Sequence, residues 1–409
     1  AAPLLTVPET AVFLTNLRGT PNPTVQTFSP DAVWEQLWAA RPAFALIGTE
    51  LLRPELKPLT VSGQSPLRDD FNVVSYPLQM GIGVSGVETA VSAFQAAYTA
   101  QEGPRQNRFP ERHTTLAMSG VAALVRATAY QMEINGVLYP GQVVRDVFRS
   151  ADIAHISNEV SFDPNCPLPN PIGGTSFCSR DPYFALLEDL GIDVVELTGN
   201  HLNDYGADNV IHSLARYAAA GMATFGGGAD GTTAQEAAVF EHNGNRIAFV
   251  GCNPVGPNYA WATAERAGSR PCDGTLPPQI AALADEGHII IATLQYSEFY
   301  FYEPTAQQRA DFRALVAAGA SAVSGSQAHH AQGVDFHQGG FIHFGLGNLF
   351  FDQMDQLGTR QTFVDVYHLH NGRLVAVELW TGLIDNFARP RLMTPAERQQ
   401  LLETTFRAS

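Results

Sequence analysis

Residues 190–206, LGIDVVELTGNHLNDYG, constrain the fold more than any other stretch of this chain. Val194, Val195 and Leu197 form a short apolar run rich in β-branched side chains, the pattern of a buried parallel strand, and it breaks at Thr198-Gly199 into Asn200-His201. Polar side chains therefore stand at the carboxyl end of a strand, where open α/β sheets place their ligands. Val210, Leu214 and Tyr217 recur behind them at helical spacing, Gly221 supplies a stop, and Asp204 is the expected cap of that helix. Asn200 can offer an amide oxygen to a divalent cation, and His201 a proton to a leaving oxygen. The same tripeptide can equally cap a helix and satisfy loop backbone, so its meaning depends on partners elsewhere.

From residue 114 strand and helix patterns alternate, which predicts an α/β domain. Residues 115–118, 153–156, 222–225, 247–251, 288–294, 322–325 and 341–344 read as short strands. Residues 138–149, 182–190 and 305–318 read as helices, and 367–380, with Asn371-Gly372 at its middle, as a hairpin. Residues 1–110 form a separate segment with a helix at 32–40, a strand at 44–47 and a strand at 59–61 ending in a Ser62-Gly63 turn. That order, followed by Tyr76-Pro77-Leu78, resembles part of a periplasmic phosphate-binding protein, without the anion-binding loops of that family. Polar, proline-containing 101–113 reads as a linker, and 386–409 as a C-terminal helical tail.

Cys166, Cys178, Cys252 and Cys272 sit in loop-like settings without CxxC spacing. Pairing Cys166 with Cys178 and Cys252 with Cys272 is the simplest of three connectivities and implies an oxidising compartment; four free thiols in a cytosolic protein is the other reading. Against 40 acidic residues there are 24 basic ones, a net charge of −16 with no basic cluster, which argues against nucleic acid as a partner. No apolar run reaches the ~18 residues that a membrane-spanning helix needs.

Polar groups recur at other predicted strand ends: Asn158-Glu159, Gln295 to Glu298, and Gly325 to His330, followed by Gly345 to Asn348 and Phe351-Asp352. In this order they resemble the CapA family of bacterial capsule and poly-γ-glutamate biosynthesis proteins, a resemblance that implies one domain over 114–385. The most specific parts are SNEVSF (157–162), LTGNHLNDYG (197–206) and GLGNLFFD (345–352). The resemblance implies a metallophosphatase-like α/β sandwich, its site at the carboxyl ends of the strands, preceded by a smaller N-terminal α/β segment.

It also implies metal ligands that this chain has in part lost. Ser119-Gly120-Val121 stands where the family carries Gly-Asp-Val, and Gln295 and Gln327 stand where it carries histidine. Glu159, Asn200, His201 and His329 match, and Glu298 falls one place early. One formal negative charge is too little for two divalent cations, so no cofactor is expected. A single Ca²⁺ or Mg²⁺ at Glu159, Asn200 and His329 is the alternative. Glu159, His201 and His329 are the candidate acid/base residues; Asn158, Asn200, Gln295, Glu298, Gln327 and Asn348 are candidate binding residues. His343, alternating with apolar neighbours, reads as structural, Gly226-Gly227-Gly228 as a tight turn, and residues 299–302 as a sugar-stacking platform or a loop anchor.

The expected function follows from the resemblance: an exported protein, extracellular or at the cell surface, acting in biosynthesis, assembly or anchoring of a capsule or poly-γ-glutamate-type polymer. Its partners are then the polymer or the synthesis machinery, and it is a pseudoenzyme rather than a hydrolase. Two alternatives stand beside it. One is an active hydrolase of phosphoester, peptide or glycosidic bonds with a rebuilt site, and the other is a self-assembling, homo-oligomeric extracellular structural protein.

Overall fold

Residues 289–292 read Ile-Ile-Ile-Ala, and their side chains alternate between two different cores: Ile289 and Ile291 enter one, Ile290 and Ala292 the other. A strand buried on both faces needs such an unbroken apolar run. The computed structural model, which describes residues 2–68, 70–79, 84–101 and 109–409, builds its larger unit on this principle. By internal packing the chain divides into Ala1–Pro110 and Glu111–Ser409.

In the larger unit the described residues form two extended sheets. The first runs Ala223–Phe225, Val194–Glu196, Ile153–Asn158, His113–Ser119, Gln361–His370, Arg373–Asp385, Arg389–Leu392, with Val121–Ala122 and Asn348–Phe350 attached beside Ile153–Asn158. The second runs Ala238–His242, Asn245–Cys252, Ile289–Gln295, Ala322–Ser326, Gly340–His343, Val334–His337. Leu116, Met118, Val194, Phe249, Ile291 and Tyr367 fill the space between the sheets. Helices Phe184–Leu190 and Ala207–Ala219 cover the first sheet, and Leu276–Asp285 and Ala306–Ala317 cover the second. This is the expected α/β sandwich. Each large aliphatic side chain buried in it contributes roughly 1.5–3 kcal/mol.

Parallel pairing fixes where the strands end. Ile153–Asn158 lies parallel to Val194–Glu196, and Ile289–Gln295 lies parallel to Ala322–Ser326. Parallel neighbours finish on the same edge, so residues 159, 199–201, 295 and 327–329 collect there. Gly199 is required at this edge, because a Cβ on it would stand 2.5 Å from the carbonyl oxygen of Glu159. Gly120 is equally confined: a Cβ would meet the Gly347 carbonyl at 2.0 Å.

Several expectations change. The helix expected over 138–149 is only Arg145–Arg149, preceded by a short 3-10 turn, and a helix at Arg126–Asn135 was not foreseen. Tyr139-Pro140-Gly141 breaks the longer helix. Residues 59–61 form no strand; Val61 and Gln64 make a single bridge around the Ser62-Gly63 turn. Asp204 does not cap the helix after the Gly-Asn-His turn, whose N-cap is Gly206. Gly226 turns with φ +72°, but Gly227–Gly228 then pairs with Gly268–Ser269. The tail 386–409 first adds Arg389–Leu392 to the sheet, and its helix is Pro395–Arg407, started by a Thr394–Glu397 capping box.

The smaller unit is a three-stranded parallel sheet in the order Val25–Thr27, Leu4–Thr6, Phe44–Leu46, with Leu5, Val7, Val33 and Leu37 buried. Its helix Val33–Ala39 lies where expected, whereas Leu4–Thr6, Pro8–Arg18 and Val25–Thr27 were not foreseen. Most of the linker expected at 101–113 lies outside the described residues. Both local disulfides, Cys166–Cys178 and Cys252–Cys272, are present.

Candidate functional site

Three side-chain oxygens from three different loops converge on one nitrogen. Gln295 Nε2 lies 3.1 Å from Glu159 Oε1 and 3.1 Å from Asn200 Oδ1, and it also donates to Gln327 Oε1. An amide NH₂ has two hydrogens for these three acceptors. Several oxygens directed at one point is how a hard cation is held, and here the point is occupied by the Gln295 amide itself.

The donor set differs from that of the metal pair that the sequence resemblance implies. Glu159 is the single carboxylate of the inner cluster, and His329 Nε2 stands 4.0 Å from its Oε1. No side chain fits at Gly120, and Val121 beside it is buried and apolar. Among the described residues, no three or more His, Cys, Asp or Glu side chains are arranged to hold a metal ion. These residues do not fit a transition-metal pair.

Each histidine is fixed by a partner of its own. His201 Nδ1 donates to Asp204 Oδ2 at 2.6 Å, and the same carboxylate accepts from the Phe177 amide at 2.9 Å and, through Oδ1, from the Tyr259 hydroxyl at 3.2 Å. Burial alone would lower the His201 pKa. The hydrogen bond to Asp204 and the negative charges of Glu159, Asp204 and Glu298 outweigh burial and raise it above its ordinary value. His329 Nδ1 donates to Asn348 Oδ1 at 2.6 Å. The Asn348 amide nitrogen donates to the His329 carbonyl, Gln353 Oε1 and the Thr359 carbonyl, which fixes its orientation and leaves Nε2 of His329 as the basic nitrogen.

Backbone conformation supports the same location. Gln327 (φ +73°) and His329 (φ +52°) are both left-handed in the loop after Ala322–Ser326. Non-glycine residues held this way collect at functional sites because their surroundings impose the strain.

Two of the expected binding residues lie elsewhere. Asn158 turns its amide to the Val160 carbonyl and the Tyr217 hydroxyl, into the helix-covered side of the sheet. Glu298 is exposed and accepts from Tyr300 and Gln353, so its hydrogen bonds reach the cluster through the Gln353–Asn348–His329 chain while its charge acts on His201. The aromatic run divides: Phe301 is exposed, whereas Tyr302 bonds Gln361 and packs edge-on to His330. His343 is buried against Asp365 at 2.7 Å, as a structural histidine.

Several participants were missed in the sequence. Glu196, fully buried, accepts from Thr198 and lies 2.9 Å from Ser326 Oγ, which in turn lies 2.8 Å from Gln295 Oε1. His155 Nε2 stands 3.4 Å from its other oxygen. Burial pushes the Glu196 carboxyl up, but His155 and the two hydroxyls reverse this and hold it below its usual range. Phe177 packs on the His201 ring at 4.5 Å and Phe351 on the His329 ring at 5.0 Å. Arg126 stacks over both phenyl rings. The three-residue spacing of His201 and Asp204 was the one available signal for the pair they form.

Residues 115–353 match the family described as bacterial capsule synthesis protein PGA_cap. Capsule biosynthesis protein CapA of Bacillus anthracis is 28% identical over 198 residues, 47% of this chain and 48% of that protein. PGA biosynthesis protein CapA of Bacillus subtilis (strain 168) is 25% identical over 232 residues, 56% of this chain and 60% of that protein. The chain thus spans about half to three-fifths of the length of these curated relatives. A 5′-nucleotidase precursor from Thermus thermophilus is a solved structure similar to it at 14% identity, with a TM-score of 0.39 over 71% of this chain and 57% of that one. Because the matched span takes in more than half of the sequence and every residue of the cluster, the chain belongs to the bacterial capsule synthesis protein family PGA_cap.

Proposed function

We propose that this chain is an exported member of the family that binds a poly-γ-glutamate-type polymer during its synthesis, assembly or anchoring, through a cluster that works without metal. The observation that carries the reading is the Gln295 amide nitrogen standing among the oxygens of Glu159, Asn200 and Gln327. A neutral donor at that point stands in place of the Lewis acid on which metal-assisted hydrolysis depends, and the partly exposed Asn200 and His201 beside it offer hydrogen bonds to amide and carboxylate groups. Export is supported by the two disulfides, which persist in oxidising compartments. Among the described residues, no helix is long and apolar enough to cross a membrane.

A second reading rests on the histidines. His201, held by Asp204 with a raised pKa, and His329, with Nδ1 committed to Asn348, form an acid and base suited to metal-independent hydrolysis. One experiment separates the two. The purified protein is analysed for bound metals, then incubated in EDTA with poly-γ-glutamate while polymer length and binding are followed. Binding without shortening, and no stoichiometric metal, is the expected result. Shortening that disappears in His201→Ala establishes the hydrolase, and failure to bind the polymer overturns the proposed function.

A further inference from the structure

At the edge of the site a single guanidinium is held in an unusually fixed position. Arg126 Nε and Nη2 both donate to Asp352, and the same carboxylate accepts from the Ala127 amide at 2.9 Å, so the anchor is itself tied to the first turn of the helix Arg126–Asn135. The guanidinium carbon lies 4.6 Å from the centre of the Phe351 ring and 5.3 Å from that of Phe177. Those rings contact His329 and His201 respectively, so Arg126 is one aromatic ring away from each histidine. Its backbone is left-handed, at φ +44°, a conformation that costs free energy in an arginine and persists only where the surroundings enforce it.

The anchoring leaves one end unused. Nη1 has no hydrogen-bond partner among the described residues, and the Arg126 side chain is 25% exposed where Asp352 is 6% exposed. A guanidinium with two nitrogens immobilised offers its remaining N–H groups at little further cost in side-chain entropy. The chain carries a net charge of −16, and Glu159, Asp204 and Glu298 all lie around the histidines. Long-range repulsion therefore works against an acidic ligand. Recognition of one must come from a local, directed cation.

We propose that Arg126 is the specificity residue of this site and that its Nη1 binds a carboxylate of an acidic, amide-linked polymer seated over His201 and His329. This inference rests on the polymer-binding reading above. Asp352 is then a positioning residue, and Phe177 and Phe351 form the surface that holds the guanidinium plane toward the ligand.

The test is titration of γ-linked glutamate oligomers into the parent protein, Arg126→Gln and Arg126→Lys at 0.15 M salt, with thermal melts to establish that each variant is folded. A γ-linked glutamine oligomer serves as the neutral probe. Loss of a charge-assisted hydrogen bond predicts roughly 10- to 100-fold weaker binding of the acidic oligomer by Arg126→Gln, with the neutral oligomer unchanged. Arg126→Lys keeps the charge without the fork, and a loss smaller than that of Arg126→Gln is expected. Equal binding of the acidic oligomer by parent and Arg126→Gln overturns this inference alone, as does an equal loss for both oligomers, which marks Arg126 as structural. Absence of binding by the folded parent overturns the polymer-binding reading and this one with it.

Discussion

Ser326 Oγ lies 2.9 Å from the buried carboxylate of Glu196, directly beneath the glutamine on which the site converges. One ionised group that water does not reach thus touches the loops that carry Asn200 and Gln327 and, through Ser326, Gln295 itself. Glu196→Gln removes the charge but keeps the shape, so the Thr198 and Ser326 hydroxyls lose an ionised acceptor. A hydrogen bond to a charged group contributes roughly 1.5–3 kcal/mol, and part of that should be lost. The urea midpoint should fall accordingly, and an unchanged midpoint would show that the carboxylate holds nothing together.

His201 should titrate above its ordinary value of 6.5. Because the folded value is raised, the stabilisation from Asp204 is fully present below about pH 6.5 and is lost as pH rises through the folded pKa. NMR of the imidazole gives the midpoint directly. Asp204→Asn should move it down and flatten the dependence of stability on pH over the same interval; a midpoint that does not respond assigns the shift to other charges.

Gln295→Glu places a second carboxylate about 3 Å from Glu159. Two like charges at that distance call for a cation or a proton. The variant should melt lower than the parent in EDTA and recover with Ca²⁺ or Mg²⁺, approaching about 2.7 kcal/mol at a hundredfold excess over the dissociation constant. The parent's melting temperature should be indifferent to either ion. A parent that responds to them holds a cation after all.

Cys166–Cys178 and Cys252–Cys272 span 12 and 20 residues, loop lengths for which cross-linking contributes about 3 kcal/mol each. Replacing either pair by serine should lower stability by roughly that amount. For Cys166–Cys178 the loss should reach the site as well, since Phe177, the neighbour of Cys178, carries both a ring against His201 and an amide on Asp204. Reductant that leaves the melting curve unchanged would contradict the assignment.

Burial on both faces left a mark that local reading detects. Runs such as residues 289–292 and 247–251 are continuous and apolar, and Asn371 and Gly372, at φ +53° and +75°, occupy the hairpin turn that an Asn-Gly pair favours. The Glu159, Asn200, Gln295 and Gln327 contacts were legible as residues at strand ends, though not as bonds. Asn158 was misplaced because strand-end position does not say which face a side chain takes. Arg126 and Asp352 lie 226 positions apart, and neither helix propensity nor periodicity links them. Glu196 was hidden for a different reason: a carboxylate at the end of an apolar strand looks like a surface residue until Thr198, Ser326 and His155 are seen to enclose it.

Glu159 and Asn200 follow strands of the first sheet, whereas Gln295 ends a strand of the second and Gln327 follows another. The Gln295 bonds to Glu159 and Asn200 are therefore stitches across the seam of the sandwich. A ligand that takes the Gln295 donor for itself unpicks them and loosens that edge of the sandwich, while one that adds to them draws the edge tighter. Two compounds with equal affinity can thus leave the protein softer or stiffer, and hydrogen exchange along Ile289–Gln295 distinguishes them where a binding constant does not.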